Sequence, residues 1–357
     1  MRLRTMATAA VLGAGIAAAP GAAHAATGPT VTVAGGVASV AGTAGRDLIG
    51  VTTDAAGLSV DFGLDGTVDA QVPRSRFREV RVLAAAGLDV VSGRGAGEVP
   101  VTLDAGPDAD VVTVLGTIGQ DGADDAPTTV DGGDGDDNVL TSTPGPVTVL
   151  AGAGDDRVTG GGAGAGRQAV SLDDGDDRFT TSLNAFAGDR RDDVDGGAGR
   201  DVLSMEGSLS SESVGMSAVK GRLLVAHDFR NQVVAGGVED VAYIGFGSVD
   251  SSGSGDAVAV NDLSGTGVVR VTANFSADQS NGAPNGSADT LTVRGTPGVD
   301  RITVSGAKAD VLVAGLQPIV AAVFLRPEDF LLIDTLAGDD VVDSSGLQPG
   351  LVQLLVR

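Results

Sequence analysis

The sequence has no cysteine and no tryptophan, and it has a single tyrosine, Tyr243. Lack of cysteine removes disulfides, thiolate metal sites and thiol nucleophiles together, so it says nothing about redox compartment. Aromatics are only 3% of the chain, so a core has to be made of Val, Leu, Ile and Ala. Bases are scarce too: 23 Lys and Arg face 47 Asp and Glu, a formal charge of −24. That balance argues against nucleic acid and anionic membrane as partners and in favour of cations. What abounds is glycine, 56 of 357 residues, beside 42% hydrophobic residues. Enough apolar side chain is present to bury a core, so wholesale disorder is not expected.

The N-terminus reads as an export signal. Arg2 and Arg4 form a basic start, an apolar stretch runs from Met6 to about Ala19, and Pro20 precedes Ala23-His24-Ala25. This order predicts a secretory signal peptide over residues 1–25, cleaved after Ala25, and a secreted, extracellular protein. Gly13, Gly15 and Pro20 interrupt the apolar stretch, which disfavours a membrane anchor, and no later segment is long and apolar enough to span a bilayer. Cleavage leaves 21 bases against 47 acids, a net charge of −26.

One pattern recurs: Gly-x-Asp-x-Φ, where Φ is apolar. It occurs at Gly45/Asp47/Ile49, Gly87/Asp89/Val91, Gly135/Asp137/Val139 and Gly154/Asp156/Val158. It returns at Gly175/Asp177/Phe179, Gly199/Asp201/Leu203, Gly298/Asp300/Ile302 and Gly338/Asp340/Val342, with variants around Asp110, Asp256 and Asp289. From Gly135 onward the steps are 19, 21 and 24 residues, and the end pairs are separated by 42 and 40. Between the turns lie short β-branched runs such as Thr30–Val33, Val147–Leu150 and Leu291–Val293. A step near 20 residues accommodates two or three short strands with their turns. That predicts an all-β fold, a parallel β-solenoid of the right-handed β-helix or β-roll kind.

The whole of residues 26–357 is expected to form one solenoid domain, with its most acidic coils over 104–203. Gly42-Thr-Ala-Gly-Arg-Asp47 mirrors Gly295-Thr-Pro-Gly-Val-Asp300, so two-coil modules are expected at about 42–92 and 295–345. Residues 205–250 lack the signature and are expected to be coils without the acidic turn. Gly160–Gly166 and Ser276–Ala288 look like insertions. By strand alternation each Φ residue should be buried and the residue before it, Arg157 or Arg178 for example, exposed.

Between Asp104 and Asp201 there are 21 acids and 6 arginines. Here Gly132-Gly133-Asp134-Gly135-Asp136-Asp137-Asn138-Val139 and Gly196-Gly197-Ala198-Gly199-Arg200-Asp201-Val202-Leu203 carry the full pattern G-G-x-G-x-D-x-Φ. In these residues the chain resembles the repeats-in-toxin (hemolysin-type) calcium-binding proteins. The resemblance implies Ca²⁺ as cofactor, held structurally by oxygens of the turns between stacked coils. The ligands it implies here are Asp134, Gly135, Asp137, Gly154, Asp156, Gly175, Asp177, Gly199 and Asp201, with Asp47, Asp300 and Asp340 at the ends. This chain departs from the family's unbroken nine-residue tandem, since it carries one signature per coil or per two coils.

Two other functions compete with calcium binding. Arg46, Arg157, Arg178, Arg200 and Arg301 sit beside the key aspartates and could neutralise them without metal, leaving an extracellular structural or adhesive scaffold with a cell-surface or matrix partner. A polysaccharide lyase or hydrolase is the enzyme alternative. No catalytic residue is assigned: no G-x-S-x-G elbow is present, the lysines are only Lys220 and Lys308, and His227, the one histidine of the mature chain, is expected at the surface.

Overall fold

The structure is a computed structural model that describes residues 28–95, 99–116, 126–161, 166–182, 190–208, 210–227, 231–245, 254–276 and 286–357. The expected signal peptide lies outside these residues, as do 162–165 and 277–285 of the two expected insertions. Strands dominate, and among the described residues there is no α-helix, only one 3-10 turn at Arg74–Arg76. The fold is the parallel β-solenoid. Two compact units divide the chain, Met1–Gly152 and Ala153–Arg357.

In the first unit one sheet runs, in spatial order, through Thr30–Ala34, Val37–Ala41, Glu79–Leu83, Val101–Pro107 and Thr128–Asp134. The other runs through Ala70–Pro73, Gly57–Phe62, Leu48–Thr53, Val90–Gly95, Val111–Gly116 and Asn138–Ser142. Successive coils are parallel and in register, so Ile49, Val91, Val112 and Val139 stack as one buried column. The second unit repeats the scheme. Its column is Val158, Phe179, Leu203, Val241, Val271 and Val320, again buried throughout. Strand Arg178–Ser182 shows why these residues make strands: Phe179 and Thr181 point in while Arg178 stays out, a period of two.

The Φ residues are buried as expected at Ile49, Val91, Val139, Val158, Phe179, Leu203 and Ile302. Val342 is half-exposed, because its strand Val341–Leu347 is the edge strand of its sheet among the described residues.

The doubled steps have a different cause from the one expected. Leu48–Thr53 pairs directly with Val90–Gly95, and Arg301–Ala307 directly with Val341–Leu347. Each 40-residue step is therefore one coil of the stack. The extra residues are antiparallel insertions: Gly57–Phe62 and Ala70–Pro73 in one case, and in the other Asp310–Ala314, which runs between Arg301–Ala307 and the coil strand Ile319–Val323. Residues 205–250 differ likewise. Ser213–Val219 and Arg222–His227 form an antiparallel hairpin inside an otherwise parallel sheet. Alternation alone reads the same in parallel and antiparallel strands, so the sequence pattern could not separate them.

Candidate metal centre: the aspartate turns

The Gly-x-Asp turn is built by backbone conformations that glycine permits. Gly133 and Gly135 have φ of +102° and +127°, and a Cβ on Gly133 would collide with the carbonyl oxygen of Gly106 in the coil below. The turn thus packs backbone on backbone. Its carbonyls are engaged with neighbouring turns: Asp134 O accepts the Asp108 N–H at 2.6 Å, Asp174 O that of Gly154 at 2.8 Å, and Ala198 O that of Gly175 at 2.9 Å.

The aspartate that follows points inward. In Asp-x-Φ both named residues stand on the same face of the strand, so burying Φ also buries the carboxylate. Asp137, Asp156, Asp177 and Asp201 are at most 2% exposed. What receives them is backbone. In the first unit the N–H of Asp47 donates to Asp89 Oδ1, that of Asp89 to Asp110 Oδ1, and that of Asp110 to Asp137 Oδ1, each at 2.7 Å. In the second unit Asp156 N–H donates to Asp177 Oδ1 at 2.7 Å and Asp177 N–H to Asp201 Oδ1 at 3.0 Å. Asp201 N–H in turn donates to Glu239 Oε2 at 2.9 Å. The bond is reciprocated at each step, since the residue after the later acid donates its N–H to the earlier aspartate's carbonyl. Val111 to Asp89 and Val202 to Asp177 are examples, at 3.0 and 2.9 Å. Each coil is clasped to the next by two hydrogen bonds at this corner.

A second ladder in the second unit precedes strands of the other sheet. Glu212 N–H donates to Asp256 Oδ1, Asp256 N–H to Asp289 Oδ1, and Asp289 N–H to Asp329 Oδ1, at 3.1, 2.8 and 2.9 Å. Gln168 N–H donates likewise to Asp192 Oδ1. Sequence reasoning singled out none of Asp89, Asp110, Asp192, Glu212, Glu239, Asp256, Asp289 or Asp329 as a site residue. Most lack the leading glycine, but all carry the signal Asp/Glu-x-Φ, with buried Val91, Val112, Val194, Val214, Val241, Val258, Leu291 and Leu331 two residues on.

Three ladder acids have no parallel coil before them to offer an N–H. Asp47, Asp300 and Glu212 open strands whose neighbour on that side is antiparallel. Each takes a local donor four residues back instead. Thr43 N–H and Oγ1–H reach Asp47 Oδ2 at 2.6 and 2.9 Å, and Thr296 does the same for Asp300 at 2.7 and 3.0 Å. Ser208 N–H reaches Glu212 Oε1 at 2.6 Å. Glu212 also accepts the Tyr243 hydroxyl at 3.0 Å and faces His227 Nε2 at 3.6 Å. His227 is thus buried, contrary to the surface position expected, because it closes the antiparallel hairpin against this carboxylate.

Burial raises the proton affinity of six ladder aspartates. It pushes Asp110 and Asp201 up to about 6, opposed by the amide each accepts and reinforced by the neighbouring ladder charges. Asp89, Asp177 and Asp329 are raised for the same first cause. Asp256 also reaches about 6, with burial outweighing the Tyr243 hydroxyl beside it. Glu212 goes the other way, held below its ordinary value despite burial by His227, Ser208 and Tyr243.

Of the expected ligands, Asp137 lies in the first unit's ladder and Asp156, Asp177 and Asp201 in the second's, while Asp47 and Asp300 open a ladder. Asp340 accepts the Asp300 N–H at 2.8 Å. Gly135, Gly154, Gly175 and Gly199 all hold positive φ in the turns, and Asp134 stands exposed at a strand end. In the rungs at Asp89, Asp110, Asp177 and Asp201 the second carboxylate oxygen, Oδ2, is buried without a hydrogen-bond partner. One carboxylate oxygen of each clasped rung is on an amide, and Oδ2 of Asp137 and Asp201 lies against Gly132 and Gly196, where a Cβ would collide or sit 2.6 Å away. The turn carbonyls named above each accept an amide of a neighbouring turn, and among the described residues no group of three or more acids or histidines is placed to hold a metal. Arg157 and Arg178 are exposed and in register with each other, and Arg200 pairs with Asp240 at 2.6 Å. Arg157 and Arg178 open their strands one place after Asp156 and Asp177, on the opposite face.

The chain matches no family model, no curated protein and no solved structure in comparisons with each.

Proposed function

We propose that the protein is an exported structural scaffold, a metal-free β-solenoid whose acidic corners hold its coils together from within. The observation that carries this reading is the ladder itself, in which buried carboxylates accept the backbone N–H of the preceding coil. A residue used in this way serves rigidity and stacking, and it commits one of its two carboxylate oxygens to an amide. The N-terminal pattern of Arg2, Arg4, the apolar stretch and Ala23-His24-Ala25 supports export, and the surplus of acids supports solubility outside the cell. The role is that of an extracellular scaffold with a surface or matrix partner, and no reaction is assigned to it.

The test is a melting experiment in EDTA, in millimolar CaCl₂ and in NaCl of equal ionic strength. A scaffold clasped by amides melts cooperatively in EDTA and gains no more from calcium than from sodium. A calcium increment well above the salt effect would return the protein to calcium binding, and the exposed Asp155, Asp173, Asp174 and Asp176 on adjacent turns would be the residues to substitute first.

A further inference from the structure

The outer face of the first unit carries a recess of about 350 Å³ that the ladder does not explain. Three adjacent strands form its floor: Gly57–Phe62, Leu48–Thr53 and Val90–Gly95. In register across them stand Ser59, Thr52 and Arg94, and one row away Asp61, Gly50 and Ser92. These are the outward residues of strands whose inward residues, Val60 and Val51, are buried.

A loop over 63–69 overhangs this floor, and it is held there against its own preference. Leu64 has φ of +52°, a left-handed conformation that a bulky side chain rarely takes. Its Cδ2 lies only 2.9 Å from where a Cβ on Gly50 would be, so glycine is what lets the overhang come down. Three aspartates fix the loop. Asp61 accepts the N–H groups of Asp65 and Gly66 at 3.3 and 2.8 Å, Asp65 accepts Thr67 N–H at 2.9 Å, and Asp69 accepts Phe62 N–H at 2.7 Å. The loop thereby offers Leu64 and Val68 as an apolar wall, 38% and 48% exposed. Across the floor stands Arg94, exposed, and among the described residues no acid pairs with it.

We infer that this recess binds a carboxylate carried on a hydroxylated body, the chemistry of a uronate sugar. The guanidinium of Arg94 offers a planar fork of N–H donors matched to a carboxylate. The hydroxyls of Thr52, Ser59 and Ser92 can each donate to and accept from sugar hydroxyls. Leu64 and Val68 cover the C–H face of the ring. Asp61, the acid in the recess, has both oxygens turned to loop amides. The volume falls in the ordinary range for small-molecule sites, roughly 300–1,000 Å³. This site is independent of the scaffold reading and stands or falls separately from it.

The test is amide NMR of the full mature chain titrated with D-glucuronate, methyl β-D-glucoside and acetate. Saturable shifts at Thr52, Ser92 and Arg94 are expected with glucuronate, and binding of the glucoside and of acetate weaker by about tenfold or more, a 1.4 kcal/mol step. Arg94→Gln should weaken glucuronate by a similar factor without altering the melting temperature. Leu64→Gly, which relieves the left-handed strain, should weaken it while leaving the fold no less stable. No saturable shift with glucuronate, equal binding of acetate, or an Arg94→Gln variant that binds as the parent does would each overturn the inference.

Discussion

The same carboxylate meets two environments along the solenoid. Asp177 and Asp201 follow a parallel coil and receive its backbone N–H, whereas Asp300 follows an antiparallel strand and receives Thr296 instead. The inward position is fixed by alternation in both cases. The partner is fixed by what the preceding strand presents: a parallel coil of the same register brings an amide to the corner, and an antiparallel strand does not. Where the amide is missing, a threonine or serine four residues back supplies the donor. The acidic corner is therefore a device for stacking coils, with a local substitute wherever stacking is interrupted.

The largest expected effect that probes this comparison is pH. Asp110, Asp201 and Asp256 bind protons more tightly in the folded chain, near 6, than in the unfolded one. The folded state then takes up protons that the unfolded state does not as pH falls from about 7 towards 5, so stability rises, and it is lost again as pH climbs through 6. The slope is about 1.4 kcal/mol per pH unit for each proton. Chemical denaturation at pH 5, 6 and 7 measures it, and a stability that falls as the pH is lowered from 7 to 5 would show that the buried ladder is not the dominant titrating element.

Next in size is removal of one rung. Asp201→Ala leaves the Asp177 N–H buried without an acceptor and should cost about 1–3 kcal/mol. Thr296→Val, which removes only the hydroxyl donor at a ladder start, should cost less, about 0.5–1.5 kcal/mol. Urea unfolding of the two variants ranks them, and the reverse order would break the distinction between clasped and locally satisfied acids. The smallest effect belongs to Asp201→Asn. It keeps an acceptor and imitates the protonated acid, so at pH 7 it should match or slightly exceed the parent in stability, and the pH slope should lose one proton's worth.

Much of this was legible in the sequence, and the misses have physical causes. The Asp-x-Φ spacing already implied an inward carboxylate, because a period of two puts both residues on one face. The pattern shared with the calcium-binding repeats fixes the turn and leaves the carboxylate's backbone partner open. The amide it meets belongs to a residue 21 to 44 positions away, 21 between Asp89 and Asp110 and 44 between Glu212 and Asp256, and only the stacking register reveals it. The antiparallel excursions after Thr53 and at Ser213–His227 were hidden because their alternation matches that of the coils. Arg94 and its overhang carry no repeat signal. They were reached through the left-handed Leu64 and the missing side chain of Gly50, both properties of the folded backbone.

The most direct test of the ladder is the hydrogen exchange of one amide. Asp89 N–H lies 2.7 Å from Asp110 Oδ1, and Val90 N–H lies 3.0 Å from Asp47 O in the same corner. In metal-free buffer containing EDTA both should exchange slowly in the parent chain, and Asp110→Ala should release Asp89 while Val90 stays protected. An Asp89 amide that exchanges freely until calcium is added, or one that Asp110→Ala leaves untouched, would contradict the clasp.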